Sequence, residues 1–339
     1  MLSIAVIGAG RIGRIHARNI ALHPRARLAG VSDTDSRAAG SLAESCGAGA
    51  IPLEEAFKAD AVLIGSPTPT HADYIERAAA AGCAVFCEKP IDLSIARVRD
   101  CLTVVERAGT PLMIGFNRRF DPSFANLQRR LSAGEIGKLE LLTITSRDPA
   151  PPPASYVAQS GGLFRDMMIH DLDMARFLLG EEPAELYAAA SALVDKAIGE
   201  AGDVDTAVVT LKTASGKLCQ ISNSRRATYG YDQRIEAHGS EGLLRAGNMT
   251  STTVEAAGRN GFTTEPALPS SWNATTRPIA PNWMPSWPQC WTEPRRARWR
   301  GRAARADPGG CRDGICPQRK AGFALSLNHP ASRRQAPPR

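Results

Sequence analysis

In the stretch GGLFRDMMIHDLDMARFLLGEEP, which begins at Gly161, Asp166 and His170 stand four residues apart among methionine, isoleucine and leucine. On a helix that spacing puts both on one face. A carboxylate one turn from an imidazole can fix its tautomer and stabilise its charged form, which is the arrangement a general base requires. An ordinary intrahelical ion pair accounts for the same spacing equally well. Met168, Leu172 and Leu179 can populate a buried face of that helix, and Gly180 is a natural C-terminal stop. Asp171 and Asp173 need no more than helix packing or local hydrogen bonds. Lys89, between an apolar strand and Pro90, is a second group that could act on a reacting oxygen. An ammonium beside a hydroxyl under oxidation stabilises developing alkoxide charge and, in reverse, polarises a carbonyl. In isolation it would read as a solvated surface lysine.

A third constellation points to a phosphate-bearing ligand. LSIAVIGAGRIGRIHARNIALHP combines an apolar strand, a glycine turn and a helix, with Gly8, Gly10 and Gly13 matching G-x-G-x-x-G. Gly8 permits the tight turn, Gly10 lets the backbone approach a pyrophosphate, and Gly13 lets the helix pack close to the strand. The helix N-terminus then faces the phosphates, and Arg11 and Ile12 lie within the same turn. The pattern alone is weak, but here it follows a strand, opens a helix and precedes a second strand, ARLAGVSD. That strand ends at Asp33, 20 residues past Gly13. A carboxylate there accepts hydrogen bonds from an adenosine ribose and repels the extra phosphate of NADP, so NAD is the expected cofactor. An ordinary acidic helix cap would also place an aspartate there.

These groups must be held by elements, and the rhythm of the chain supplies them. Up to residue 120, strands alternate with helices: ADAVLIGSPTPT, HADYIERAAAAG, CAVFCEKP, DLSIARVRDCLTVVERAG and PLMIGFNRRF follow one another. Such alternation implies a parallel, right-handed sheet that binds ligands beyond the strand C-termini. Ser66, Thr68, His71, Glu88 and Lys89 all lie at or just past such ends. After Asp121 the rhythm changes to successive strands: KLELLTITSRD, AELYAAASALV, DTAVVTLKTASG, KLCQISNSRRA and QRIEAHGSEGLLRA. The Gly161 stretch is the one strong helix among them, and PAPPPASYVAQSGG reads as a Pro-rich loop before it. Residues 1–120 are therefore expected to form an α/β cofactor domain, and residues 121–265 an α+β domain with a mostly antiparallel open sheet.

Composition separates a body from a tail. From Pro269 onward there are 13 Lys+Arg against 3 Asp+Glu, leaving 28 basic and 31 acidic groups of the chain's 41 and 34 for residues 1–268. The body is mildly acidic, which argues against nucleic acid as its partner. No apolar run approaches the ~18 residues of a membrane span, and the N-terminus lacks a signal-peptide pattern. Eight cysteines occur without C-x-x-C pairs, so reduced thiols in the cytoplasm are expected rather than a disulfide framework or a zinc site. All five tryptophans fall between Trp272 and Trp299, in a stretch dense in proline and arginine and without periodicity. Residues 266–339 could be an aromatic, basic nucleic-acid arm or a low-complexity tail. The favoured reading is out-of-frame translation: with suitable codons, SSWNATTRPIAPNWMPSWPQCWTEP reads in the neighbouring frame as an amphipathic helix former.

GAGRIGRIHARN, CEKP, GFNRRFDPSF, GGLFRDMMIHDLDMARFLLGEEP and GYDQRIEAHGSEG together resemble the Gfo/Idh/MocA oxidoreductases, in order, over about residues 1 to 265. The inositol-oxidising branch is the nearest pattern. The resemblance implies an N-terminal Rossmann domain and hydride transfer to NAD from a small-molecule polyol, myo-inositol becoming the 2-keto inosose. It implies that Lys89 polarises the reacting oxygen, that His170, paired with Asp166, takes the hydroxyl proton, and that Asp148, Tyr231 and Arg118 contact substrate. It further implies no metal and a homo-oligomer, dimer or tetramer, built on the open face of the second sheet.

Overall fold

The computed structural model describes residues 1–259 and 261–268; the out-of-frame reading of the tail lies, from residue 269 on, outside the described residues. The first half is a five-stranded parallel sheet of β1 (Leu2–Ile7), β2 (Ala26–Ser32), β3 (Ala61–Ile64), β4 (Ala84–Cys87) and β5 (Leu112–Ile114), in the order β2-β1-β3-β4-β5. Its strands read as unbroken apolar runs because helices cover both faces. Ile4 and Val6 pack with Ala17 and Ile20 on one side, while Ala5 and Ile7 pack with Ile75 and Ala78 on the other. The helices are α1 (Arg11–Leu22), α2 (Ser36–Ser45), the short α3 (Leu53–Ala56), α4 (His71–Ala80) and α5 (Ile95–Ala108). The chain leaves β1 toward β2 on one side and returns to β3 on the other. Their C-terminal ends therefore open the crevice in which such sheets take their ligands.

The second half is a six-stranded sheet. Its strands are β6 (Leu139–Arg147), β7 (Pro183–Ser191), β8 (Thr206–Thr213), β9 (Leu218–Ser224), β10 (Asp232–Gly239) and β11 (Gly242–Ala246), in the order β11-β10-β6-β9-β8-β7. All neighbours are antiparallel except β6 and β9. α6 (Pro122–Ser132) and α8 (Met168–Leu179) lie against one face, where Leu142, Ile144, Ile221 and Ile235 meet Met168, Met174 and Leu178. Among the described residues the other face is open: Leu243, His238, Leu141 and Leu218 form one cross-strand row, and the three leucines are 41–51% exposed. An exposed hairpin, β12 (Glu255–Gly258) with β13 (Gly261–Thr264), follows.

Three local expectations need correction. QRIEAHGSEGLLRA is two strands, because Gly239 pairs with Gly242 across Ser240 and Glu241 and closes a hairpin. α6 was not anticipated, although Asp121 caps it through bonds from the Ser123 and Phe124 N–H groups and Pro122 occupies its first turn. The Gly161 stretch is not one regular helix. The supposed Pro-rich loop contains α7 (Ala154–Ser160), Gly161 and Gly162 follow with φ of +82° and +78°, and Leu163–Met167 forms a π-helical turn before α8 begins. Single π turns are concentrated at functional sites, since the extra residue re-aims its neighbours.

Candidate active site

The glycine turn has the shape of a dinucleotide cradle. A Cβ on Gly13 would sit 1.8 Å from the Gly8 carbonyl oxygen, and one on Gly8 (φ +105°) would meet Gly65 and Ser66 at 2.6–2.7 Å. Those positions lock the loops after β1 and β3 together and exclude any side chain. A Cβ on Gly10, in contrast, would meet nothing within 4 Å, so the backbone there opens directly onto free space at the N-terminus of α1. Asp33 closes the cradle: its Oδ2 accepts from the Ala9 N–H at 2.6 Å and its Oδ1 from the Asp35 N–H at 2.8 Å. Burial opposes the charge, but these backbone donors outweigh it and hold the carboxyl below its ordinary range. These residues fit a dinucleotide with a free ribose hydroxyl.

The other residues expected at the cofactor differ in their surroundings. His71 is buried, with Nδ1 2.7 Å from the Pro90 carbonyl oxygen and Nε2 2.7 Å from that of Ser66. It ties the loop after β3 to the loop after β4. Glu88 pairs with His16 Nε2 at 2.7 Å, and the Ser66 and Thr70 hydroxyls lie 2.7 Å apart. Thr68 is half-buried at the start of a short 3₁₀ turn, Arg11 is exposed and Ile12 half-buried on the first turn of α1.

Lys89 joins the two halves. Its Nζ donates to the Asp166 backbone carbonyl at 2.8 Å and approaches Asp166 Oδ1 at 3.3 Å. The π turn accounts for this geometry. It begins where the Leu163 N–H donates to the Asp203 carboxylate at 3.0 and 3.2 Å, and it carries Asp166 over Lys89. Asp166 is therefore not the group that fixes the tautomer of His170. Its carboxylate meets Lys89, the Tyr156 hydroxyl at 3.2 Å and Arg225 Nη2 at 3.5 Å, while His170 Nδ1 is buried with no hydrogen-bond partner among the described residues. The intrahelical pairing expected from the spacing fails because a π turn does not keep the 3.6-residue period.

Burial, with the Arg118 and Lys89 charges beside it, holds His170 well below the ordinary histidine range. Its imidazole is accordingly neutral at neutral pH and able to take a proton. The Phe116 ring stands edge-on to it, with centroids 6.4 Å apart. Asp148, just past β6, is pushed upward by burial, an effect that Arg225 and Arg118 oppose. Tyr231 is raised by burial as well and hydrogen-bonds Arg118.

Arg118, Asp171 and Asp173 prove to be fasteners. Arg118 Nη1 donates to buried Asp171 in a short bond, and its Nη2 donates to Ser146 Oγ at 2.8 Å. Asn223 Nδ2 supplies Asp171 with a further bond at 2.8 Å. Arg119 grips Asp173 through two bonds of 2.6 and 2.7 Å. The 3₁₀ turn Asn117–Phe120, which leaves the first sheet, is thereby riveted to α8. Lys89, Asp166, His170, Asp148, Tyr231 and Arg118 thus form one cluster, whereas Glu88 bonds His16 and His71 bonds the Ser66 and Pro90 carbonyls. Tyr156 and Arg225 belong to the cluster and were not anticipated; Arg225 carried no signal beyond the RR pair after a predicted strand.

Known proteins resemble the chain over both halves. The Oxidoreductase family, NAD-binding Rossmann fold, matches residues 2–116, and the GFO/IDH/MocA C-terminal domain matches residues 124–245. An inositol 2-dehydrogenase of Rhizobium meliloti (strain 1021) is 54% identical over 264 residues, covering 77% of this chain and 80% of its own. The crystal structure of a myo-inositol dehydrogenase from Corynebacterium glutamicum ATCC 13032 superposes with a TM-score of 0.77 at 46% identity, over 81% of this chain and 84% of that one. A scyllo-inositol dehydrogenase from Lactobacillus casei, solved with bound NAD(H) and scyllo-inositol, superposes with a TM-score of 0.73 at 30% identity, over 80% of this chain and 83% of that one.

Proposed function

The chain belongs to the Gfo/Idh/MocA oxidoreductases, and from that premise we propose that it oxidises myo-inositol at one ring hydroxyl to the inosose, with NAD as acceptor. The observation that carries this reading is the Lys89–Asp166 contact, with the Lys89 charge acting on the buried His170, in a chain that also carries the glycine cradle. Neutral His170 takes the hydroxyl proton. Lys89 Nζ, steadied by Asp166, donates to the same oxygen and stabilises the charge that builds on it. NAD, held in the glycine cradle, would supply the acceptor for the hydride of the carbinol carbon. Gly10 would let the backbone approach its pyrophosphate in a turn that Gly8 and Gly13 keep tight, and Asp33 would accept from its adenosine ribose. Asp148 and Tyr231 are assigned to the remaining ring hydroxyls. Arg118, whose bonds are met by Asp171, Ser146 and Tyr231, orients that wall rather than reaching substrate. Residues 1–120 thus hold the cofactor and residues 121–265 the polyol, in a cytoplasmic enzyme whose copies associate through the open leucine row of the second sheet.

NADH absorbance, followed with the full chain on a panel of inositols and sugars, tests the assignment. Turnover is expected with myo-inositol in preference to scyllo-inositol and aldoses. A preference for either of the latter overturns the substrate assignment, and NAD binding without turnover on any polyol identifies a cofactor-binding but inactive chain. The same assay reads the role of Asp33. Wild type is expected to use NAD at least about tenfold better than NADP, and Asp33→Ala to narrow that ratio by relieving the repulsion of the extra phosphate. An unchanged ratio in the variant would assign cofactor choice elsewhere.

A further inference from the structure

Arg225 follows β9 and is 2% exposed. Its backbone N–H is fixed to the Asp205 carbonyl at 2.8 Å. The parallel pairing of β6 with β9 explains its neighbour: Arg147 is opposite Ser224, so Asp148 and Arg225 are the next residues at the same end of the sheet. Nη1 stands 4.0 Å from Asp148 Oδ2 and Nη2 3.5 Å from Asp166 Oδ2. Yet Nε and Nη2 are buried with no hydrogen-bond partner among the described residues. A buried guanidinium with unmet donors destabilises a fold, so a purely structural arginine would be expected to close its bonds as Arg118 does.

We propose that Arg225 is a positioning residue that bridges Asp148 and Asp166 and presents them together as a paired acceptor for polyol hydroxyls. The inference rests on the reading of those two carboxylates as the wall that meets substrate. Without a cation between them, two carboxylates lining one cleft repel each other and hold their protons more tightly. The other groups facing them do not replace Arg225. Lys89 and Tyr156 reach Asp166 alone. Arg118 is committed to Asp171 and Tyr231, and Asp171 adds negative charge on the Asp148 side. The Arg225 charge opposes the effect of burial on Asp148, and its two terminal nitrogens stand one against each carboxylate, a two-pronged placement that a lysine cannot reproduce.

Calorimetric titration of myo-inositol into the full chain saturated with NADH, repeated across the acid range, tests this without requiring turnover. Arg225→Met is expected to weaken binding about tenfold and to move the acid limb of affinity upward by about one pH unit, the size of effect a cation at this distance exerts on a carboxylate. Arg225→Lys should restore the limb while leaving affinity about threefold weaker. Wild-type affinity and an unmoved limb in Arg225→Met overturn the proposal. Should that variant not fold, wild-type affinity in Arg225→Lys overturns it equally. Asp148→Asn and Asp166→Asn separate the two levels. If neither weakens binding, the assignment of the substrate wall is wrong; if both do and Arg225→Met does not, only the bridging role fails.

Discussion

Replacing His170 with alanine is expected to lower the turnover of myo-inositol by about three orders of magnitude while the affinity for NAD stays within about twofold of wild type. A positioned general base contributes about 10²–10⁴ to rate. Nothing in this site stands ready to replace it: Lys89 is a cation held on Asp166, and Tyr156 is raised by burial and by Asp166. The loss should fall on kcat and on kcat/KM alike, the signature of an interaction made in the transition state rather than in ground-state binding. The pH dependence carries a sign. The base must be neutral, and burial with two neighbouring cations displaces His170 downward. Wild type should therefore keep its rate as the pH drops through the ordinary histidine range near 6.5, and lose it only well below that value. A wild-type profile that falls off at or above the ordinary value would mean that another group supplies the base. Unchanged turnover in His170→Ala would remove His170 from the chemistry altogether.

The parts of this site that were legible in the sequence are those built from neighbours in the chain. Gly8, Gly10 and Gly13 declare a cradle because each glycine serves a backbone position within one strand–turn–helix, and Asp33 is reached by a fixed count along the next strand. Lys89 could be placed at a strand end, but not opposite Asp166, because that contact spans 77 residues and depends on how the two halves meet. The apparent Asp166–His170 pair misled for a local reason. Spacing i, i+4 implies a shared face only in a regular helix, and Gly161, Gly162 and the Asp203 anchor set up a π turn instead. Arg225 was invisible because its partners come from a parallel strand pairing between β6 and β9 that alternation cannot reveal. The mixed charge and apolar character of the Gly161 stretch finds its cause in the same long-range contacts. Asp171 and Asp173 are buried where α8 would otherwise be greasy, since two arginines from the first half enter to meet them.

That fastening makes Asp171 the residue whose loss should cost the fold most. Asp171 is fully buried and Arg118 nearly so. Burial works against the Arg118 charge, and the Asp171 carboxylate, helped by Tyr231, outweighs it and raises the guanidinium above its ordinary value. Asp171→Ala removes the counter-ion and leaves that cation stranded, together with an Asn223 amide reduced to its longer bond to the Ser146 carbonyl at 3.4 Å. Breaking one side of a buried ion pair destabilises by about 3–5 kcal/mol. For a chain of this size that corresponds to a melting temperature lower by roughly 5 °C. The attraction itself is not worth that much, because desolvating both charges offsets most of it. The double variant Arg118→Met/Asp171→Leu should accordingly recover most of the stability lost by Asp171→Ala, while remaining impaired in catalysis because Tyr231 and α8 lose their anchor. Thermal unfolding of the two variants beside wild type decides the matter. A single variant that melts within about 2 °C of wild type would show that the rivet carries little of the fold. A double variant no better than the single would assign the loss to cavity and hydrogen bonds rather than to stranded charge.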